Sequence, residues 1–274
     1  MASVAISFPL AVGKIECIAC VLHHPVHQMK ATEFESRHRA LLNLVQIWLA
    51  FQVYVLDHSN IVWWLCPWST ARGAPLARLA FLFAALLVGT AAAIRTWAAA
   101  YLGSDVVHDL RLHTESLVAD GPYRHVRNPL YLGSFLLSIG LGFLASRVGF
   151  CILVVGGAAR ILRLIGREEE KLEQQQGERF REFARSVPRL LPSISPRLPA
   201  AGLDPCWGKA FRAEASIWGF FMMMIAFTIT LRDSVAWTLG SVSLVLWLVL
   251  RISERWRNRE SLSSTSGHRD EELQ

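Results

Sequence analysis

Two short segments concentrate the residue types that bind ions or move protons. The first runs Gly121-Pro122-Tyr123-Arg124-His125-Val126-Arg127-Asn128-Pro129-Leu130-Tyr131-Leu132-Gly133. Gly-Pro opens a turn, and Asn-Pro sets a second bend directly before an apolar run. Pro129 suits the first position of a helix, where its missing N–H costs nothing. Free backbone N–H groups at that helix start can receive an anion, and two arginines and a tyrosine converge on the bend. The plainer reading is a basic anchor with an interfacial tyrosine. The second segment, Arg160-Ile161-Leu162-Arg163-Leu164-Ile165-Gly166-Arg167-Glu168-Glu169-Glu170-Lys171-Leu172, sets three carboxylates beside three arginines at the exit of an apolar stretch. Such a charge run is usually a solvated face. Charges this close to a bilayer are more often functional than charges in a free loop.

The elements that position these residues are membrane helices. Of 274 residues, 53% are hydrophobic and 18% charged, where soluble domains carry about 25% charged residues. Mean hydropathy is +0.33. This excludes a disordered chain and argues against a soluble enzyme. Apolar runs cover 40–56 (with a further patch at 61–68), 79–102, 130–145, 148–165, 215–231 and 234–250, broken chiefly by Arg95 and by the short Ser146-Arg147 and Arg232-Asp233 turns. At about 20 residues per crossing, they predict an all-α polytopic membrane protein with five to six transmembrane helices. Leu172, Phe180, Phe183 and Val187 recur at helical spacing among charges, which predicts a cytoplasmic amphipathic helix, ended by Val187-Pro188-Arg189-Leu190-Leu191-Pro192.

Basic residues set the orientation. With a cytoplasmic N-terminus, 23 of the 28 Lys and Arg fall inside, 11 of them within 160–212, and 4 fall outside. The net charge of +6 thus reads as membrane topology, and no nucleic-acid partner is expected. Arg95 is the one charge left within a span, facing a cavity or snorkelling to the interface. The five cysteines show no disulfide framework. Cys17-x-x-Cys20 with His23, His24 and His27 offers zinc-type ligands, but the spacing is too short for a finger, and no metal site is expected. Residues 1–39 read as a leader, 40–251 as the membrane domain and 252–274 as a polar, disordered tail.

At the two chemical segments the chain resembles the isoprenylcysteine carboxyl methyltransferase-like family, which is related to the phospholipid N-methyltransferases. Residues 121–133 follow its G-P-Y-R-x-V-R-H-P-x-Y-x-G signature. Glu168-Glu169-x-x-Leu172-x-x-x-Gln176-Gly177 follows its E-E-x-x-L-x-x-x-F-G pattern, and residues 187–192 follow its V-P-R-L-x-P close. The motif core spans 95–192, and the last helix pair fits the bacterial branch only loosely. Asn128 stands where the family has His, and Gln176 where it has Phe. Asn hydrogen-bonds but does not titrate near pH 7.

The resemblance implies transfer of a methyl group from S-adenosylmethionine to a lipid-borne acceptor, without a Rossmann domain, in agreement with the missing G-x-G-x-x-G. It implies a cofactor site of Tyr123, Arg124, Arg127, Asn128, Pro129, Tyr131, Glu168 and Glu169. A glutamate there would pair with the cofactor ammonium, Tyr131 would contact adenosine, and an arginine would hold the cofactor carboxylate. Arg163 or Arg167 would orient an acceptor carboxylate, and Glu169 would take a proton from an amine or hydroxyl acceptor. The implied acceptor is a carboxylate of an isoprenylated-cysteine-like substrate. Competing readings are a phospholipid or other lipid amine, and an inactive membrane scaffold. The implied setting is a bacterial inner membrane with active face and termini cytoplasmic.

Overall fold

The computed structural model describes residues 30–65, 74–102, 119–246, 248–250 and 252–253. Among these residues every regular element is helical, and β-type pairing is confined to one bridge between Asn60 and Ser146. The Cys17/Cys20/His23/His24/His27 cluster, Trp68 and the polar tail beyond 253 lie outside the described residues.

The chain starts with a short helix α1 (Glu33–Arg37), opened by a capping box in which Thr32 and Glu35 satisfy each other's backbone. It continues through α2 (Arg39–Gln52), a tight turn, and α3 (Ile61–Leu65). The long helix α4 (Ala74–Leu102) begins five residues before the apolar run that announces it. At 1.5 Å per residue it reaches about 44 Å, more than a bilayer core of about 30 Å. α5 (Pro129–Gly142) and α6 (Arg147–Gln176) follow as the expected hairpin. After Gly177 comes α7 (Glu178–Ser186), then α8 (Trp207–Ala213), α9 (Ala215–Thr230) and α10 (Asp233–Leu250).

Among the described residues, α4, α6 and α10 are long and apolar enough to cross a membrane. A fourth crossing results if α8 and α9, bent by 61° at Glu214, act as one span. α2 and α5 are apolar but shorter than a full crossing requires. The apolar face of α7 is taken up by the protein itself: Phe180, Phe183 and Val187 are buried against Ala119, Leu172 and Leu198.

α4 is the central helix, packed against α5 and α9, with α8 at its C-terminal end. Its buried face is made of small residues, Ala84, Ala85, Val88, Ala91 and Ala92, so neighbouring backbones come close. A Cβ on Gly140 would lie 2.5 Å from Val88 Cγ2 and 2.9 Å from Ala84 O, and one on Gly133 would collide with Arg95. Close approach through small residues is the usual basis of helix association in lipid.

The loop after α2 closes over the turn of the hairpin. Asn60 Nδ2 donates to the carbonyls of Phe143 and Ala145, Tyr54 donates to Leu144 O at 2.6 Å, and Asp57 receives a forked pair from Arg147. These bonds satisfy backbone groups that lipid cannot. In α6, residues Ile152–Gly156 form a widened π turn, and Gln46 of α2 donates to Ile152 O at 2.7 Å. Such turns insert one residue and rotate everything beyond by about 100°.

Candidate active site

The three motifs meet at the start of α5. Asn128 occupies the N-cap position, but its side chain does not cap the helix. Its amide instead donates two hydrogen bonds, each 3.1 Å, to Glu169 Oε1 and to Arg189 O. Arg127 pairs with Glu169 Oε1 at 3.1 Å, and Arg189 with Glu169 Oε2 at 2.9 Å. The Arg127 N–H donates to Pro188 O at 2.8 Å. One carboxylate thus ties the first motif to the third. Burial draws the Arg127 guanidinium below its ordinary range, against the raising pull of Glu169.

Glu168, its neighbour on α6, faces another way. Its Oε1 accepts from Tyr131 at 2.7 Å and from Arg39 Nη1 at 2.9 Å. Tyr123 is buried against Ala98, Leu102 and Leu130. Burial pushes its phenol well above the usual tyrosine range, with Glu168 and Glu214 adding and Arg95 opposing. Arg124 is drawn off to the segment after α7, where its Nε donates to Leu198 O at 2.7 Å. His125 Nδ1 lies 2.9 Å from Ser193 O, and Asp120 accepts from the N–H of Gly121 and of Leu203. The turn at 121–124 therefore clamps the 187–203 segment beneath α5.

Arg163 and Arg167 sit elsewhere. Arg163 Nη2 donates to Glu35 Oε2 at 2.9 Å, and Arg167 Nη1 to Ala31 O at 3.0 Å. With Lys30–Glu170 at 2.6 Å and Arg39–Glu168, these contacts strap residues 30–39 along the charged end of α6. Of the residues singled out from the sequence, Arg127, Asn128, Tyr131, Glu168 and Glu169 form a connected cluster. Pro129 starts the helix that carries it, Tyr123 packs beneath, and Arg124, Arg163 and Arg167 point away.

Sequence reasoning gave no site role to four participants: Arg39, Arg189, Arg160 and Glu214. Arg95 donates a forked pair to Glu214, at 2.8 and 2.9 Å, plus bonds to Leu130 O and Ser134 Oγ. The Glu214 side chain is only 4% exposed. The available signal was an acidic residue at the edge of one apolar run and a single arginine inside another, since a buried charge needs a partner.

Arg95, Arg160 and Glu214 line one end of a cavity of about 1340 Å³. Its walls continue through Leu141, Ile217 and Phe220 to Trp63 and Asp233. Among the described residues, no group of three His, Cys, Asp or Glu could hold a metal ion.

The family model for phospholipid methyltransferases matches residues 79–179. The match takes in α4, α5, α6, the first motif and the Glu168-Glu169 pair, and stops before the 187–192 segment that the structure ties to them. The chain is 26% identical over 224 residues to the nickel-cobalt-cadmium resistance protein NccN of Alcaligenes xylosoxydans xylosoxydans, covering 81% of this chain and 88% of that protein. It is 25% identical over 173 residues to the cobalt-zinc-cadmium resistance protein CzcN of Cupriavidus metallidurans, covering 63% and 72%. No solved structure matches. The family match and the apolar helices together support a membrane protein of the methyltransferase type, and methyltransferases of the matching family generally use S-adenosylmethionine.

The cluster has the donors such a cofactor needs. Glu168 Oε2 accepts nothing from any described residue and can receive an ammonium. Arg127 Nε is buried without a hydrogen-bond partner and can serve a carboxylate. Those orphaned groups are the opposite charges of an amino acid's two ends.

Proposed function

We propose that the protein is an active S-adenosylmethionine-dependent methyltransferase acting on a lipid-borne group, with its site on the cytoplasmic side of a bacterial inner membrane. The observation that carries this is the convergence of three separate motifs on Glu168 and Glu169. Arg127, Asn128, the Pro129 helix start, Tyr131, Glu168 and Glu169 hold the cofactor, and Tyr123 and Arg124 shape the turn beneath. When bound, the cofactor supplies an electrophilic methyl group on sulfur.

The protein's own work is placement. Tyr131 is fixed by Glu168, and the Arg127–Glu169–Arg189 cluster fixes the start of α5, so both faces of the site are rigid before substrate arrives. The buried Tyr123 and Ala98–Leu102 face keeps water from below. With a carboxylate acceptor no proton need be removed. With an amine, Glu168 accepts the proton, relayed through Tyr131. A carboxylate of an isoprenylated-cysteine-like lipid is our first acceptor. A phospholipid amine is the second, favoured by the description of the matching family.

Asn128 is compatible with activity. Its amide serves two acceptors at once, as a neutral imidazole with a single N–H does not. The position then anchors rather than shuttles protons, which weighs against an inactive scaffold. The names of the two relatives add a setting: lipid methylation here supports growth under nickel, cobalt, zinc or cadmium load. Loss of the gene is then expected to lower cobalt and cadmium tolerance.

The test is cofactor binding. Purified protein in detergent is expected to bind S-adenosylhomocysteine saturably by calorimetry, and Glu168→Ala combined with Glu169→Ala to abolish it. Equal affinity in a folded double variant would refute the site.

A further inference from the structure

Three arginines lead along α6 toward its acidic end, and two are committed. Arg163 meets Glu35, and Arg167 meets the Ala31 carbonyl. Arg160, one turn nearer the membrane interior, makes no hydrogen bond and no ion pair with any described residue, although its Nε is buried. It lines the polar end of the large cavity. Arg95 lines the same end, but its guanidinium is taken up by Glu214, Ser134 and the Leu130 carbonyl. Of the three arginines lining the cavity, Arg95 is neutralised and Arg212 is exposed, which leaves Arg160 as the half-buried one without a partner among the described residues.

An uncompensated cation in a membrane helix is costly and marks a ligand or ion path. The fold holds Arg160 in place: the π turn at Ile152–Gly156, braced by Gln46, sets the rotation of α6 just ahead of it. Beyond Arg160 the cavity wall is largely apolar, with Leu137, Leu141, Ile217 and Phe220, interrupted by polar residues such as Gln46, Ser138, Asn60 and Asp233. A guanidinium at one end and largely apolar walls fit an amphiphile with an anionic group and an apolar tail. The planar fork of arginine accepts phosphate and carboxylate alike. Ser134, one turn beyond Tyr131 on α5, lines the cavity together with Arg160, which lies about two turns ahead of Glu168 on α6, so an anion held there lies toward the proposed methyl-transfer site.

We propose that Arg160 is the docking cation for the phosphate or carboxylate of a lipid whose tail occupies the large cavity, and that it positions this lipid beside the Tyr131–Glu168 pair. The lipid's role as methyl acceptor rests on the methyltransferase reading; the anion site does not.

The experiment uses the full chain in dodecyl maltoside. Three amphiphiles are titrated while thermal unfolding is followed: dioleoyl phosphatidic acid for phosphate, farnesylcysteine for carboxylate, and dioleoylglycerol as the uncharged control. At least one of the two anionic probes is expected to raise the unfolding temperature saturably, and dioleoylglycerol is not. Arg160→Gln is expected to weaken the anionic binding by about ten-fold or more. Arg160→Lys keeps part of it, and Arg78→Gln, exposed at the far end of α4, keeps all of it. The unliganded Arg160→Gln protein is expected to unfold no lower than wild type, because an unpaired charge has been removed. The stronger anionic probe identifies the group. Wild-type affinity in Arg160→Gln, or equal binding of charged and uncharged probes, overturns the proposal. Should Arg160→Gln fail to fold, Arg160→Lys decides: retained anion binding supports the site and complete loss refutes it. S-adenosylhomocysteine is titrated in parallel. If it fails to bind wild type while the Arg160-dependent anion effect persists, the methyltransferase reading falls and the anion site stands.

Discussion

Glu168 and Glu169 are adjacent in sequence and do different work. Glu169 is fully engaged, at 16% side-chain exposure, by Arg127 at 13% and Arg189 at 22%. Removing one partner of a buried ion pair strands the others, so Glu169→Ala is expected to cost about 3 kcal/mol or more, read as a drop in thermal unfolding temperature in detergent. Glu168 has an oxygen to spare, so Glu168→Gln should leave stability nearly unchanged while weakening S-adenosylhomocysteine binding. At Asn128, Asp substitution turns a donor into an acceptor facing Glu169 and should lose cofactor affinity. Asn128→His keeps a single donor and should retain partial affinity. If all three Asn128 forms bound cofactor equally, the anchoring role assigned to its amide would be wrong.

The helices place these residues through close backbone contact and a few polar bonds between elements. Gly140→Leu must push α5 away from Val88 and the Ala84 carbonyl, with an expected loss of about 2 kcal/mol or more. Gln46→Leu strips Ile152 O of its donor and should weaken anionic-lipid binding more than cofactor binding, because the π turn lies next to Arg160. At the opposite end of the hairpin, the Arg147 guanidinium beside Asp57 holds its carboxyl down to about 2. A depressed carboxyl stabilises the fold above its ordinary value near 4 and loses that contribution only as pH falls through about 2. The clip over the hairpin turn should therefore survive mild acid, and Asp57→Asn should flatten the pH dependence of unfolding between pH 4 and 2. The existence of these helices was legible because hydrocarbon imposes long apolar runs, and the 146–147 break stood out for the same reason. The strap formed by residues 30–39 was not legible. Its contacts are single charge pairs, Lys30 to Glu170 and Glu35 to Arg163, which leave no periodic trace.

Across the whole molecule the charge pattern divides in two. The orientation expected from the sequence rests on most of the Lys and Arg excess, while a few charges are drawn into the protein. The meeting of residues 121–133 with 187–192 followed from neither composition nor spacing. It depends on the turn at 121–124 holding the later segment by backbone bonds to His125 and Arg124. Arg95 and Glu214 join α4 to the bend between α8 and α9, and neither position reads as a partner of the other along the chain. Glu214→Ala is expected to destabilise the fold by about 3 kcal/mol, with Arg95→Met in the same chain restoring part of the loss. Non-additivity of the two in thermal unfolding checks the pairing.

The central claim is methyl transfer to a lipid, and the direct measurement is label transfer. Purified protein is supplied with methyl-labelled S-adenosylmethionine and a bacterial lipid extract, and the organic phase is resolved by mass. The account predicts a lipid heavier by one labelled methyl group, absent with Glu168→Ala plus Glu169→Ala and reduced with Arg160→Gln. No labelled lipid from folded wild-type protein that binds cofactor would contradict it.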